Sequence, residues 1–283
     1  MIPAGLDVMA IDAVAMDLDR TILGASLELS DRLVRAVARV RRTGVEAIVA
    51  TGRMFRSARP FALELELDTP LICYQGALIA DPTTGEWLKH DPMPVPLARE
   101  VIGEVTAGGH HLNVYVDDEL YVADLNPYAL EYARHSKLEP HAVGDLLTWL
   151  HSPTTKIVVV GRPHDLDTLE VGLQARFGSR LFIAKSLPQF LEIAEPSVSK
   201  GTGLRWTCER LGIDTGRVMA FGDGQNDIEL LETAGTGVAV EDADPLLLEH
   251  AAFTVPSVEK DGVARFLDEL AAAREARAQT PAS

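Results

Sequence analysis

A chain of 283 residues that is 47% hydrophobic can bury one large core or two ordinary ones without covalent staples. Its formal charge of −16 argues against nonspecific nucleic-acid or anionic-membrane binding, since both reward a positive surface. Cys73 and Cys208 stand far apart in apolar company and read as small buried hydrophobes; with no basic-then-apolar leader and no membrane-length apolar stretch, a soluble cytoplasmic protein is expected.

In chain order, Ala13-Val14-Ala15-Met16 is a continuous apolar run, the mark of a parallel strand covered on both faces, and it leads into Asp17, Asp19 and Thr21. Ligands of open α/β sheets bind beyond the carboxyl ends of such strands, and residues two apart on an extended chain point the same way. Asp17 and Asp19 are therefore candidates to face one small site, where paired negative charges need a cation or a proton between them. Taken alone, Asp-x-Asp is also a common loop and helix-start pattern. Ser30 and Asp31 then open a helix with Leu33, Val34, Val37, Ala38 and Val40 on its apolar stripe, Gly44 stops it, and 45–50 is a second strand. This strand, helix, strand unit is the crossover of a doubly wound parallel sheet. Thr51, Gly52 and Arg53 at its end offer a hydroxyl, closely approaching backbone N–H groups and a positive charge, which together suit an anion. Thr51 would serve equally as a plain helix cap, and Arg53 either reaches a substrate or pairs with a neighbour.

Residues 55–66 read as a helix and 70–74 as a third strand, followed by Gln75, Gly76 and Ala77. Beyond them 78–81 and 86–89 form a hairpin pattern, and Pro92, Pro94 and Pro96 mark a linker. From about 97 to 187 helices at 97–106, 127–134 and 166–177 mix with strands at 112–116, 120–122, 156–160 and 180–184, and a further apolar segment follows at 190–193. This texture predicts an α+β module inserted into the first domain, with core residues 1–82, cap residues 83–188 and core residues 189–283. His110, His111, Tyr115 and Asp117 fall in the inserted module, where the plainer reading of each is a surface or packing residue. His90 and His141 have no motif around them, and no His and Cys cluster suggests zinc.

The earlier rhythm returns where Ser199, Lys200 and Gly201 open a helix that runs to about Leu211. A strand at 217–221 follows, ending in Gly222-Asp223-Gly224-Gln225-Asn226-Asp227. That loop has little packing value and brings two more carboxylates to the sheet edge of Asp17 and Asp19. Hard oxygen ligands of this kind suit Mg2+, which keeps waters and needs few carboxylates beside substrate phosphate oxygens. Each piece alone has a plainer reading, an acidic turn for the loop and a surface lysine at a helix start for Lys200. Short strands at 237–240 and 253–255 alternate with helices, and the small and charged residues from 271 onward predict a frayed helix and a disordered end.

Jointly, Asp17-Leu18-Asp19-Arg20-Thr21, Thr51-Gly52-Arg53, Lys200 and the 222–227 loop stand in the order and spacing of the haloacid dehalogenase superfamily. Over nearly its whole length the chain resembles the type IIB, Cof-like phosphatases. The resemblance implies a Rossmann-like α/β core with an inserted, mobile α+β cap. It also implies a Mg2+-dependent phosphatase of small phosphorylated metabolites, sugar phosphates or phosphorylated cofactors, acting through an aspartyl-phosphate. Asp17 would be the nucleophile, Asp19 the general acid and base, and Lys200 a charge offset between nucleophile and phosphoryl group. Asp17, the backbone carbonyl of Asp19 and Asp223 would hold Mg2+, with Asp227 supporting; Thr51, the Gly52 N–H and Asn226 would fix the phosphoryl oxygens. Two residues depart from the pattern: Arg20 stands where many relatives have glycine, and Gln75 where they often have asparagine. A phosphomutase and a non-catalytic phosphate-binding or regulatory protein are the alternative readings. Neither the individual substrate nor the oligomeric state is encoded in these motifs.

Overall fold

Strand β1 (Ala13–Met16) forms where the chain has four consecutive apolar residues, and all four are fully buried, as a strand flanked on both sides and covered on both faces must be. The computed structural model describes residues 2–136 and 138–279. Helix α1 (Asp31–Arg42) is capped by the Ser30 side chain, which accepts from the Leu33 N–H, and it buries Leu33, Ala36, Val37 and Val40. The chain continues through β2 (Glu46–Val49), α2 (Phe55–Glu64), β3 (Leu71–Cys73), β4 (Leu78–Ala80) and β5 (Trp87–His90). Next come α3 (Val95–Ala107), β6 (His111–Val116), β7 (Glu119–Val122), α4 (Pro127–Ser136), β8 (Pro140–Ala142) and α5 (Leu146–Trp149). They are followed by β9 (Lys156–Val160), α6 (Pro163–Phe177), β10 (Phe182–Leu187) and β11 (Phe190–Ala194). The last third holds α7 (Lys200–Leu211), β12 (Val218–Gly222), α8 (Ile228–Thr233), β13 (Thr236–Val240), α9 (Pro245–Leu248), β14 (Phe253–Val255) and α10 (Gly262–Ala278).

The central sheet is parallel throughout, in the order β14-β13-β12-β1-β2. Met16 lies level with both Phe221 and Val49, so the loops after β1, β12 and β2 leave the sheet side by side. Ala50 and Ile72 form a further parallel bridge that attaches the three-stranded sheet β3-β4-β5. The fold is thus the expected α/β core with additional α+β structure.

A second sheet has the order β10-β11-β9-β6-β7-β8. Its period of two divides its side chains between two cores. Ile157, Val159, Leu191 and Ile193 pack with α3 and α6, while Val158, Val160, Phe190 and Ala194 join the cluster of the central sheet. The same parity puts Lys156 and Glu192 on the face turned toward the central sheet.

The pairing moves the expected boundaries at both ends of the insertion. Strands β4 and β5 pair onto β3, so the first core segment continues past residue 82 to about His90. Strand β11 pairs with β9 and β10, so a division at 188 would cut a sheet; that sheet runs to Ala194. The short β8 and α5 carry too few residues for a periodic signal and were not expected. The frayed helix expected from 271 is instead ordered to Ala278, because the buried guanidinium of Arg274 donates to the carbonyls of Val8 and Ile11 at 2.6 and 2.8 Å. The expected disordered end falls on residues 280–283, outside the described residues. No described helix is long and apolar enough to cross a membrane.

Candidate active site

Asp17 follows β1 directly, and its N–H donates to the Phe221 carbonyl at 3.0 Å, which carries the strand pairing one residue further and fixes where its carboxylate begins. Lys200 is the first residue of α7, positioned by a capping box in which Ser199 and Thr202 exchange hydrogen bonds. Its Nζ lies 2.6 Å from Asp17 Oδ1 and 2.6 Å from Asp227 Oδ1, with all three side chains buried. Burial disfavours the ammonium charge, but the two carboxylates outweigh it and hold the Lys200 pKa above the ordinary lysine value. The second oxygen of Asp227 accepts from the N–H groups of Asp223 and Gly224, both at 3.0 Å. Asp227 therefore shapes the loop and anchors the lysine.

Asp17 and Asp223 are less committed. One hydroxyl, Thr21 Oγ1, stands 3.4 Å from an oxygen of each, and Arg20 Nη1 lies 3.3 Å from Asp223 Oδ2. Carboxylate oxygens of Asp17, Asp223 and Asp227 all lie within 4.8 Å of one another. Burial drives the Asp17 pKa well above the usual carboxylate range, with Lys200 opposing. Burial, reinforced by the charge of Asp227, likewise pushes Asp223 up to about 7. A buried cluster of three acids and one lysine has an excess of negative charge that a hard divalent cation relieves, and oxygen-only donors of this kind suit Mg2+. The residues present fit that ion, and Asp17 and Asp223 could supply its side-chain ligands.

Asp17, Asp19, Gly52, Arg53, Asp223 and Asn226 line a cavity of about 550 Å³. Thr51, Lys200 and Asp227 are not on its wall; the last two reach it through Asp17. Thr51 is fully buried, and its Oγ1 accepts from the Arg53 N–H at 3.1 Å, so it holds the loop that presents Gly52. Arg53 pairs with a neighbour: it binds Asp19 through Nε and Nη2 at 2.8 and 2.5 Å.

Sequence reasoning missed a network beneath the cavity. Lys156 Nζ donates to the Gly52 carbonyl at 2.6 Å and lies 3.3 Å from Glu192 Oε1. Gln75 Nε2 donates to Glu192 Oε2 at 2.8 Å, and Asn226 Nδ2 donates to Gln75 Oε1 at 3.3 Å. The second sheet is thereby tied to both loops that carry expected phosphate-binding residues. A signal existed, since Lys156 and Glu192 are single charges inside otherwise apolar strands. A Cβ on Gly52 would sit 2.5 Å from Gln75 Nε2, so a larger residue there would displace the Gln75 amide from Glu192. Also missed was Asp118, which accepts from the N–H groups of Phe55 and Arg56 at 2.9 and 2.8 Å and from the Tyr74 hydroxyl at 2.8 Å. Its neighbour Asp117, singled out from the sequence, is exposed.

Both departures from the family pattern fall on left-handed backbone, at φ 62° for Arg20 and 59° for Gln75. Glycine or asparagine is at ease there, whereas a longer side chain costs about 1–2 kcal/mol. Each longer side chain reaches a partner that the shorter residue would not, Arg20 on Asp223 and Gln75 on Glu192.

Residues 14–267 match the haloacid dehalogenase-like hydrolase family. A pyridoxal phosphate phosphatase of Escherichia coli is 30% identical over 267 residues, covering 92% of this chain and 98% of its own. A 5-amino-6-(5-phospho-D-ribitylamino)uracil phosphatase of Bacillus subtilis is 26% identical over 260 residues, covering 90% and 96%. The crystal structure of a haloacid dehalogenase-like hydrolase from Bacteroides thetaiotaomicron superposes with a TM-score of 0.82 at 25% identity, covering 92% of this chain and 99% of that one. With the family matched over most of its length and the acidic site at the carboxyl edge of a parallel sheet, this chain belongs to the haloacid dehalogenase-like hydrolases, as a phosphatase of the Cof-like type.

Proposed function

We propose that the chain is a Mg2+-dependent cytoplasmic phosphatase of small phosphorylated metabolites that works through an aspartyl-phosphate on Asp17. The observation that carries this reading is the arrangement at Asp17. Its carboxylate ends the central strand, opens onto the cavity, and is charge-balanced from behind by Lys200 at 2.6 Å. A carboxylate so placed attacks phosphorus while the ester P–O bond breaks, and the departing oxygen takes a proton from Asp19. Water then attacks the phosphorus of the acyl phosphate and gives its proton to Asp19. The bond to Asp17 breaks, and inorganic phosphate leaves.

Asp17, the Asp19 carbonyl and Asp223 are the groups that would hold Mg2+, with Asp227 fixing Lys200 and the loop. Mg2+, when bound, supplies neutralisation of phosphoryl charge. The Gly52 N–H and Asn226 orient the phosphoryl oxygens, and Thr51 holds the loop that presents Gly52. In this reading the insertion, from about residue 91 to 194, is the cap. Its tie to Gly52 through Lys156 supports a role in excluding water and selecting the leaving group.

The test is phosphate release from acetyl phosphate with Mg2+, with EDTA, and with Asp17→Asn. Turnover is expected only in the first. Turnover retained by Asp17→Asn with metal present would overturn the nucleophile assignment. With a hexose phosphate supplied as substrate instead, an isomerised sugar phosphate appearing in place of free phosphate would overturn hydrolysis in favour of phosphoryl transfer.

A further inference from the structure

Resting on the phosphatase reading above, we propose that Asp118 is a positioning residue for the phosphoryl group. From the second sheet it caps helix α2, and through α2 it sets the loop that presents the Gly52 N–H to phosphate. Docking of that sheet and assembly of the phosphate cradle are then one event.

The turn between β6 and β7 does more than join two strands. Val116 pairs with Glu119, so Asp117 and Asp118 alone make the connection, with φ of 51° and 58°. Two-residue hairpin turns with left-handed backbone at both positions favour Asp-Gly or Asn-Gly, and aspartate at the second position costs more than glycine would. The two aspartates have opposite surroundings. Asp117 is exposed, whereas Asp118 is only 6% exposed and meets the start of α2. A buried charge on left-handed backbone persists where its surroundings hold it.

Its carboxylate accepts from three donors. Met54, ahead of α2, makes no capping bond with its side chain, and its carbonyl serves the N–H groups of Ser57 and Ala58. The N–H groups of Phe55 and Arg56 are left over, and the two oxygens of Asp118 take one each, at 2.9 and 2.8 Å. This is the role of an N-cap, filled by a residue 63 positions further along the chain, and a carboxylate suits the positive end of a helix. The third donor is the Tyr74 hydroxyl at 2.8 Å. The Tyr74 N–H in turn donates to the Arg53 carbonyl at 2.9 Å, so Asp118 reaches the 51–54 loop from both directions. Arg56 completes the dock by pairing with Glu119 at 2.5 Å.

Two ties from the second sheet thus restrain one loop. Lys156 holds the Gly52 carbonyl at 2.6 Å, and Asp118 holds the helix that begins three residues later. Loss of Asp118 would free the first turn of α2 and with it the far anchor of the loop. Phosphate and the docked turn favour the same loop conformation, so each must strengthen the other.

Asp118→Gly is the informative variant, because it gives the hairpin the residue its turn prefers while removing the cap. A role confined to the hairpin predicts no loss. With Mg2+ present, the calorimetric Kd of inorganic phosphate should instead rise about tenfold, the scale of a lost charged cap, and KM for acetyl phosphate should rise in step while kcat changes less. Asp118→Asn, which keeps one acceptor oxygen, should fall between. Hydrogen exchange of the unmodified protein gives a second reading that needs no variant. Inorganic phosphate at about ten times its Kd should slow the Phe55 and Arg56 amides roughly tenfold and leave Asp165 and Leu166, at the start of α6, unchanged. An unchanged phosphate Kd in folded Asp118→Gly, or exchange at Phe55 and Arg56 that phosphate does not slow, would overturn the proposal. Phosphate binding that depends on Asp118 in a protein that turns over no ester would uphold the positioning role and overturn the phosphatase reading. Turnover through Asp17 with phosphate affinity indifferent to Asp118 would do the reverse.

Discussion

Arg53 grips both carboxylate oxygens of Asp19, Nε to Oδ2 at 2.8 Å and Nη2 to Oδ1 at 2.5 Å. The guanidinium is only 10% exposed and the carboxylate 40%, so the buried partner orients the accessible one. A planar fork on a carboxylate fixes both distance and tilt, which a lysine at this position would not. Burial works against the Arg53 charge, and Asp19 more than restores it.

If Asp19 delivers the proton to the leaving oxygen, Arg53→Met should lower kcat for alkyl phosphates by about a hundredfold, the usual scale of general acid catalysis. The loss for p-nitrophenyl phosphate should be far smaller, because nitrophenolate leaves without a proton. Equal losses on both substrates would instead place Arg53 on the phosphoryl group.

Lys200→Met removes the ammonium that bridges Asp17 and Asp227 and leaves two buried carboxylates facing each other. Breaking one side of a buried ion pair costs about 3–5 kcal/mol, so urea denaturation should show a loss of that order alongside loss of turnover. An unchanged midpoint would mean that the carboxylates are compensated from elsewhere.

Divalent ion binding should be visible without any substrate. Saturating Mg2+ at roughly a hundredfold its Kd stabilises a folded protein by about 2.7 kcal/mol, and thermal unfolding should shift upward accordingly. Asp223→Asn should abolish most of that shift, since it removes one of the three clustered carboxylates. A full shift in the variant would place the ion elsewhere.

The Lys156 and Glu192 pair calls for a double-mutant cycle. Lys156→Met strands a buried glutamate and should destabilise by about 3–5 kcal/mol. Adding Glu192→Leu should recover much of that loss, because the penalty lies in the unpaired charge. The double variant should still bind inorganic phosphate poorly, as the Gly52 carbonyl loses its donor and the loop its tether. Additive stabilities would exclude direct coupling between the two residues.

Burial raises both thiols, Cys208 to about 11 and Cys73 well above the ordinary cysteine value. Thiolate is the reactive form, so the folded protein at pH 8 should resist iodoacetamide at both positions and label at both in guanidinium. Labelling of the native protein would show that one of these helices or strands opens readily.

The periodicities that set local structure were readable along the chain. Four apolar residues before Asp17 announce a central strand, the stripe from Leu33 to Val40 announces α1, and Ser199 before Lys200 announces a capped helix start. These are short-range properties, decided by side-chain period and by local hydrogen bonding. The edges of the inserted module were harder to read. The apolar segment at 190–193 fits either neighbouring sheet, and only pairing with β9 and β10 assigns β11 to the second one.

The chemical inventory was legible along the chain: four acids and a hydroxyl at the ends of parallel strands and a lysine at a helix start, in an order that names the family. Tertiary structure decided how those groups spend their charges. It turned Arg53 onto Asp19, gave Asp227 to Lys200 and the loop N–H groups, and brought Lys156 to the carbonyl of Gly52, 104 positions away in the chain. Spacing along a strand determines which face a side chain takes, but which charge meets it there depends on the strand packed opposite, and that partner is chosen by the fold as a whole.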